Sequence, residues 1–132
     1  MARILVTDDD ADLRATLQKL LMLRGYAVDT GCDGLEGARL LQQNAYDLLI
    51  TDIVMPNQEG LESIIQAKKR YPAMKIIAMS GAAKTSTEVY LRVAKNVGAD
   101  FIFQKPWNPK VMLAKVDELT GSVRPDAISP AA

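Results

Sequence analysis

The chain has 132 residues, 48% of them apolar, which suits one domain with a real core and is too few for two of ordinary size. Its 16 Lys plus Arg balance 16 Asp plus Glu, so no global field captures nucleic acid or an anionic membrane. With no His, the chain lacks His-based triads, His general bases and His-rich zinc sites, and with Cys32 as its only cysteine it forms no internal disulfide. A reducing, cytoplasmic setting is the expectation. The apolar run near the N-terminus, Ile4 to Val6, is too short for a signal peptide or a membrane span.

The first element is β-rich, Arg3 to Thr7, and it stops at Asp8, Asp9 and Asp10. From Ala11 to Arg24, Leu13, Leu17, Leu20, Leu21 and Leu23 recur close to helical spacing, and Gly25 reads as the stop. Tyr26 to Asp29 reads as a short second strand, followed by Leu35, Ala38, Leu41 and Ala45 at helical spacing. Asp47 to Thr51 is a third strand, and Pro56, Asn57 and Gly60 mark a loop. Leu61, Ile64, Ile65 and Ala67 belong to a third helix that ends before Pro72. Met74 to Met79 is a fourth strand, and Val89 to Val97 a fourth helix stopped by Gly98. Phe101 to Phe103 is a fifth strand, and Val111, Leu113, Val116 and Leu119 mark a fifth helix. Strands alternating with helices predict an α/β fold, a parallel sheet with helices on both faces and right-handed crossovers. Residues 1–120 form the expected domain, and 121–132, with Pro125 and Pro130, reads as a flexible tail or linker stub.

In an open α/β sheet, ligands bind beyond the carboxyl ends of the strands. Asp8, Asp9 and Asp10 follow the first strand, Asp52 the third, Ser80 the fourth, and Lys105 with Pro106 the fifth. Two carboxylates about 4 Å apart repel by roughly 4 kcal/mol at an effective dielectric near 20, so Asp8, Asp9 and Asp52 together call for a cation. Oxygen-only ligands favour Mg²⁺, Mn²⁺ or Ca²⁺ over zinc, and Mg²⁺ keeps positions free for a phosphate oxygen. A cation, the Lys105 ammonium and the Ser80 hydroxyl around one carboxylate suit phosphoryl transfer onto that carboxylate.

Four segments carry a resemblance: Ile4-Leu-Val-Thr-Asp8-Asp9; Asp47-Leu-Leu-Ile-Thr-Asp52-Ile-Val-Met55-Pro56-Asn-Gln-Glu-Gly60; Ile76-Ile-Ala-Met-Ser80-Gly81; and Gly98-Ala-Asp-Phe-Ile-Phe-Gln-Lys105-Pro106. In this order they resemble the CheY-like receiver domain of two-component response regulators, over residues 3 to about 119. The resemblance implies a doubly wound five-stranded parallel sheet in the order 2-1-3-4-5 with five helices. It implies that Asp52 accepts a phosphoryl group from a sensor histidine kinase or a phosphotransfer protein. Asp8 and Asp9 match the pair that holds Mg²⁺ (Mn²⁺ as a substitute), Asp9 directly and Asp8 mainly through water. Asp52 shares that ion, and the Val54 backbone carbonyl completes the set. Ser80 matches the switch hydroxyl and Lys105 the phosphoryl-pairing lysine. The Lys105–Pro106 bond is expected to be cis. The new charge would bias a surface around the fourth helix, fifth strand and fifth helix that binds an unidentified downstream protein or output domain. Members catalyse their own phosphorylation and dephosphorylation but do not turn over an outside substrate. One position departs from the family: Ile102 stands where an aromatic switch residue is usual, and alternation puts Phe101 and Phe103 on the opposite face.

Plainer readings compete. One aspartate of Asp8 to Asp10 can cap the first helix, and Asp10 is the choice that leaves the other two for a metal. Trp107 reads as packing, Cys32 as inert, Met22, Met74 and Met79 as core filler, and Lys68 to Arg70 as a solvated helix end. Three other functions fit less well. An aspartate-nucleophile phosphatase of the haloacid dehalogenase type would use Asp8 and Asp10, but Asp12 stands where it wants Thr or Val. A flavodoxin-like nucleotide binder would need Ser, Thr and Gly in place of Asp8 to Asp10. A pseudo-receiver acting without phosphorylation would not need the acidic set.

Overall fold

The computed structural model describes residues 2–53, 60–81, 92 and 95–121. The elements run β1 (Arg3–Thr7), α1 (Ala11–Leu23), β2 (Ala27–Gly31), α2 (Gly34–Gln43), β3 (Leu48–Asp52), α3 (Gly60–Arg70), β4 (Lys75–Ser80), β5 (Phe101–Gln104) and α4 (Pro109–Thr120). Helix α4 is the one the sequence places fifth. The helix expected over Val89 to Val97 lies mostly outside the described residues; 95–97 are helical and stop at Gly98, whose φ is 129°. The tail beyond Gly121 also lies outside them.

The five strands form one parallel sheet in the order β2-β1-β3-β4-β5. Successive side chains on a strand point to opposite faces, and the core divides accordingly. Ile4, Val6, Leu48, Ile50, Ile77 and Met79 face Leu17 and Leu21 of α1 and Met112 and Val116 of α4. Leu5, Leu49, Ile76 and Ala78 face Leu41 of α2 and Ile64 and Ala67 of α3. The sheet is thus covered by helices on both sides, as the alternation of elements predicts.

Helix ends follow their capping residues. Asp10 caps α1, its carboxylate accepting from the Asp12 and Leu13 amides at 3.0 and 3.2 Å. Asp33 caps α2, and Asn108 caps α4 with Pro109 in its first turn. Arg24 ends α1 and Gly25 follows with φ 97°, a conformation that costs glycine little.

Three local readings need correction. The second strand is Ala27–Gly31, not Tyr26 to Asp29. As an edge strand it is half-exposed, so its polar end pairs with β1 without an apolar run, through Thr7 and Gly31. Met22 is exposed, because it flanks the buried stripe of Leu17 and Leu21 instead of joining it; Met74 and Met79 are buried as expected. Lys68 is not a freely solvated cation: its Nζ pairs with Asp100 at 3.2 Å and donates to the Met74 carbonyl at 3.1 Å.

Candidate functional site

The parallel ladder brings the ends of β1, β3, β4 and β5 to one rim. Asp8 follows β1 directly, Asp52 ends β3, Ser80 ends β4, and Lys105 follows β5. β1 and β3 pair Thr7 with Thr51, so the residues after them, Asp8 and Asp52, emerge side by side. The Thr7 hydroxyl donates to the Thr51 hydroxyl at 2.7 Å, and Thr51 in turn donates to the Asp52 carbonyl at 3.0 Å. Two buried hydroxyls thereby cross-link the strands immediately below the carboxylates.

Asp8 is fully buried and held from several sides. Its Oδ1 accepts from the Asp10 amide at 2.9 Å, and its carbonyl accepts from Arg14 Nη1 at 2.6 Å. Its Oδ2 accepts from Lys105 Nζ at 2.7 Å, and the same ammonium reaches Asp52 Oδ2 at 3.3 Å. Asp9 is exposed, yet Asp8, Asp9 and Asp52 each present a carboxylate oxygen within 4.8 Å of the others. Three carboxylates and one ammonium leave the cluster with a formal charge of about −2. Burial works to lower the Lys105 pKa, but the hydrogen bond to Asp8 and the charges of Asp52 and Asp8 outweigh it and raise it above the ordinary lysine value. The ammonium is therefore fully charged at neutral pH.

Ser80 is buried at the end of β4, with its hydroxyl on the Gly81 carbonyl at 3.3 Å. The Lys105 amide donates to the Ser80 carbonyl at 2.7 Å, so lysine and serine are tied through the backbone. The Lys105–Pro106 bond is cis, as expected. Val54 lies outside the described residues. Ile102 packs with the α2/α3 side of the core, whereas Phe101 and Phe103 face the other, their rings 4.8 Å apart. Trp107 packs against the α1/α4 side of the core. Two supporting groups escaped the sequence reading: Arg14, one turn into α1, and the Thr7–Thr51 pair. Their side chains carry no motif of their own, and only the strand register reveals the second.

Charge and donor type both fit a hard divalent cation. All three side chains supply oxygen, and among the described residues one ammonium lies on the three carboxylates.

Fold and site together define a receiver of the two-component type, and comparison with known proteins agrees. Residues 4–117 match the family model of the response regulator receiver domain. Response regulator MprA of Mycobacterium sp. (strain KMS) is 32% identical over 124 residues, covering 94% of this chain and 53% of that protein. The chain thus spans about half the length of the curated relatives it matches. A CheY-like receiver domain from Methanospirillum hungatei superposes with a TM-score of 0.83 at 32% identity, over 92% of this chain and 94% of that one. The chemotaxis response regulator CheY4 of Vibrio cholerae gives 0.80 at 27% identity, over 90% and 98%. The chain belongs to the response regulator receiver domain family. No helix among the described residues is long and apolar enough to cross a membrane.

Proposed function

We infer that this receiver is a phosphorylation switch whose acceptor is Asp52. The observation that carries the reading is three carboxylates within 4.8 Å of one another, with the Lys105 ammonium on Asp8 and Asp52. In the step inferred, an Asp52 carboxylate oxygen attacks the phosphorus of a phosphohistidine on a sensor kinase or phosphotransfer protein. A P–O bond forms, the P–N bond breaks, and its electron pair leaves on the imidazole nitrogen.

Asp8, Asp9 and Asp52 would hold Mg²⁺, or Mn²⁺ in its place, with the Val54 carbonyl expected beside them. The ion when bound supplies positive charge for the carboxylates and the phosphoryl oxygens. Lys105 stands between Asp8 and Asp52 and would pair with one phosphoryl oxygen. Ser80 would turn its hydroxyl from the Gly81 carbonyl toward another. Thr7 and Thr51 fix the spacing of the acidic residues, and Arg14 holds the Asp8 backbone. The switched surface would involve residues 89–97, β5 and α4, with Ile102 as the aliphatic occupant of the usual aromatic position. Its reader would be an unidentified protein or an output domain. The chain acts on itself in the cytoplasm and turns over no outside substrate; nucleic acid is not bound by this domain.

Intact-protein mass after incubation with acetyl phosphate tests this. The expected result is a Mg²⁺-dependent, base-labile phosphoryl adduct on the wild type and none on Asp52→Asn. A folded wild type that takes up neither phosphoryl group nor beryllofluoride would refute it, and steady hydrolysis of a generic phosphate ester would favour the phosphatase instead.

A further inference from the structure

A cavity of about 400 Å³ lies between α2 and α3. Thr7 and Leu49 form its floor, and Ala38, Leu41 and Ala67 line its walls. At one end the Tyr71 hydroxyl donates to the Leu41 carbonyl at 2.7 Å, which ties the residue after α3 to α2. The volume falls in the range of small-molecule sites, roughly 300–1,000 Å³.

The charges around the cavity are one-sided. Among the described residues its charged lining residues are Lys69 and Arg70, both cationic and exposed. Among the described residues neither forms an ion pair or a hydrogen bond through its side chain. Their neighbour Lys68 is committed to Asp100 and the Met74 carbonyl. Apolar walls with two free cations at the rim match a ligand that is apolar along its body and anionic at one end.

We propose that the α2/α3 cavity binds a small amphipathic organic anion, a carboxylate or sulfonate on an aromatic or short aliphatic body. The body lies along Ala38, Leu41 and Ala67, and the acid group meets Lys69 and Arg70. The occupant rests on Thr7, whose hydroxyl is bonded to Thr51. The proposal is independent of phosphoryl transfer to Asp52.

The test titrates the folded chain with 8-anilinonaphthalene-1-sulfonate and with decanoate, by calorimetry and by amide chemical-shift mapping. Uncharged N-phenyl-1-naphthylamine is the comparator. The expected result is one saturable equivalent, with shifts centred on Ala38, Leu41, Ala67 and Tyr71. Lys69→Gln with Arg70→Gln should weaken both anions about tenfold, the effect of two exposed ion pairs of about 0.7 kcal/mol each, and leave the uncharged comparator unchanged. Ala38→Phe, which fills the cavity, should abolish binding while Mg²⁺ binding and the circular dichroism spectrum persist. Failure of both anions to saturate, shifts centred elsewhere, full anion affinity in the doubly neutralised variant, or undiminished binding to folded Ala38→Phe would each overturn the proposal.

Discussion

Replacing Lys105 with Gln removes an ammonium that Asp8 and Asp52 share. Its Nζ lies 2.7 Å from Asp8 and 3.3 Å from Asp52, and its side chain is only 18% exposed. At an effective dielectric near 20 the gross attractions are about 6 and about 5 kcal/mol. Most of that is offset by dehydrating the ammonium, but the buried Asp8 carboxylate then loses the cation in direct contact with it. Breaking a buried pair from one side costs about 3–5 kcal/mol, and residual exposure of Lys105 lowers this to about 2–4 kcal/mol. The carboxylates also repel: with oxygens within 4.8 Å, Asp8 and Asp52 oppose one another by about 3.5 kcal/mol at that dielectric. Lys105→Gln should therefore lose about 2–4 kcal/mol in urea unfolding with EDTA present. With saturating Mg²⁺ the gap should close by at least about 1 kcal/mol, because a cation gains more from a cluster of formal charge near −3 than near −2. A second substitution, Asp8→Asn, should recover much of the loss in EDTA, since it removes the orphaned charge. A variant as stable as wild type in EDTA, or a deficit that Mg²⁺ leaves unchanged, would refute the view that Lys105 neutralises a cation site.

Two further outcomes follow from local geometry. Gly37→Ala places a Cβ 2.7 Å from Thr7 Cγ2, and Thr7 cannot turn away without giving up its bond to Thr51. The gain in helix propensity is outweighed, and a net loss of about 1–2 kcal/mol is expected in the urea midpoint; an unchanged or higher midpoint would contradict the close approach of α2 to β1. Burial and a 2.6 Å hydrogen bond to Asp29 push the Tyr46 phenol up to about 12. Because the folded value is the higher one, its contribution is intact below pH about 10 and fades as pH rises toward 12. Ultraviolet titration of wild type against Tyr46→Phe should show one phenol ionising near 12, and a difference transition near 10 would be inconsistent with this contact.

The alternation of strands with helices and the cap of the first helix were the most legible features of the sequence. Asp10 was separable from Asp8 and Asp9 because a single aspartate suffices for the N-cap, and the structure makes that division. The alternation of Phe101, Ile102 and Phe103 between faces followed from strand geometry alone. Less visible were features set by partners distant in the chain. The end of β2 is polar, and only its ladder with β1 makes it a strand. Lys68 looked like its cationic neighbours until Asp100, across the α3–β4 turn and beyond β4, claimed it. The Thr7–Thr51 bridge joins residues 44 apart, a pairing no local pattern announces.

The site has no local nucleus. Lys105 and Asp8 are 97 residues apart, and Lys105 and Asp52 are 53 apart. Each contact requires strands that are not consecutive in the chain to be aligned, so loop closure must precede it. A fragment ending before β5 would carry the acidic residues without their counter-charge. The Lys105 contacts should consequently be among the last to form in refolding, trailing the helical signal, whereas Asp8 and Asp52 need only β1 and β3 to be paired.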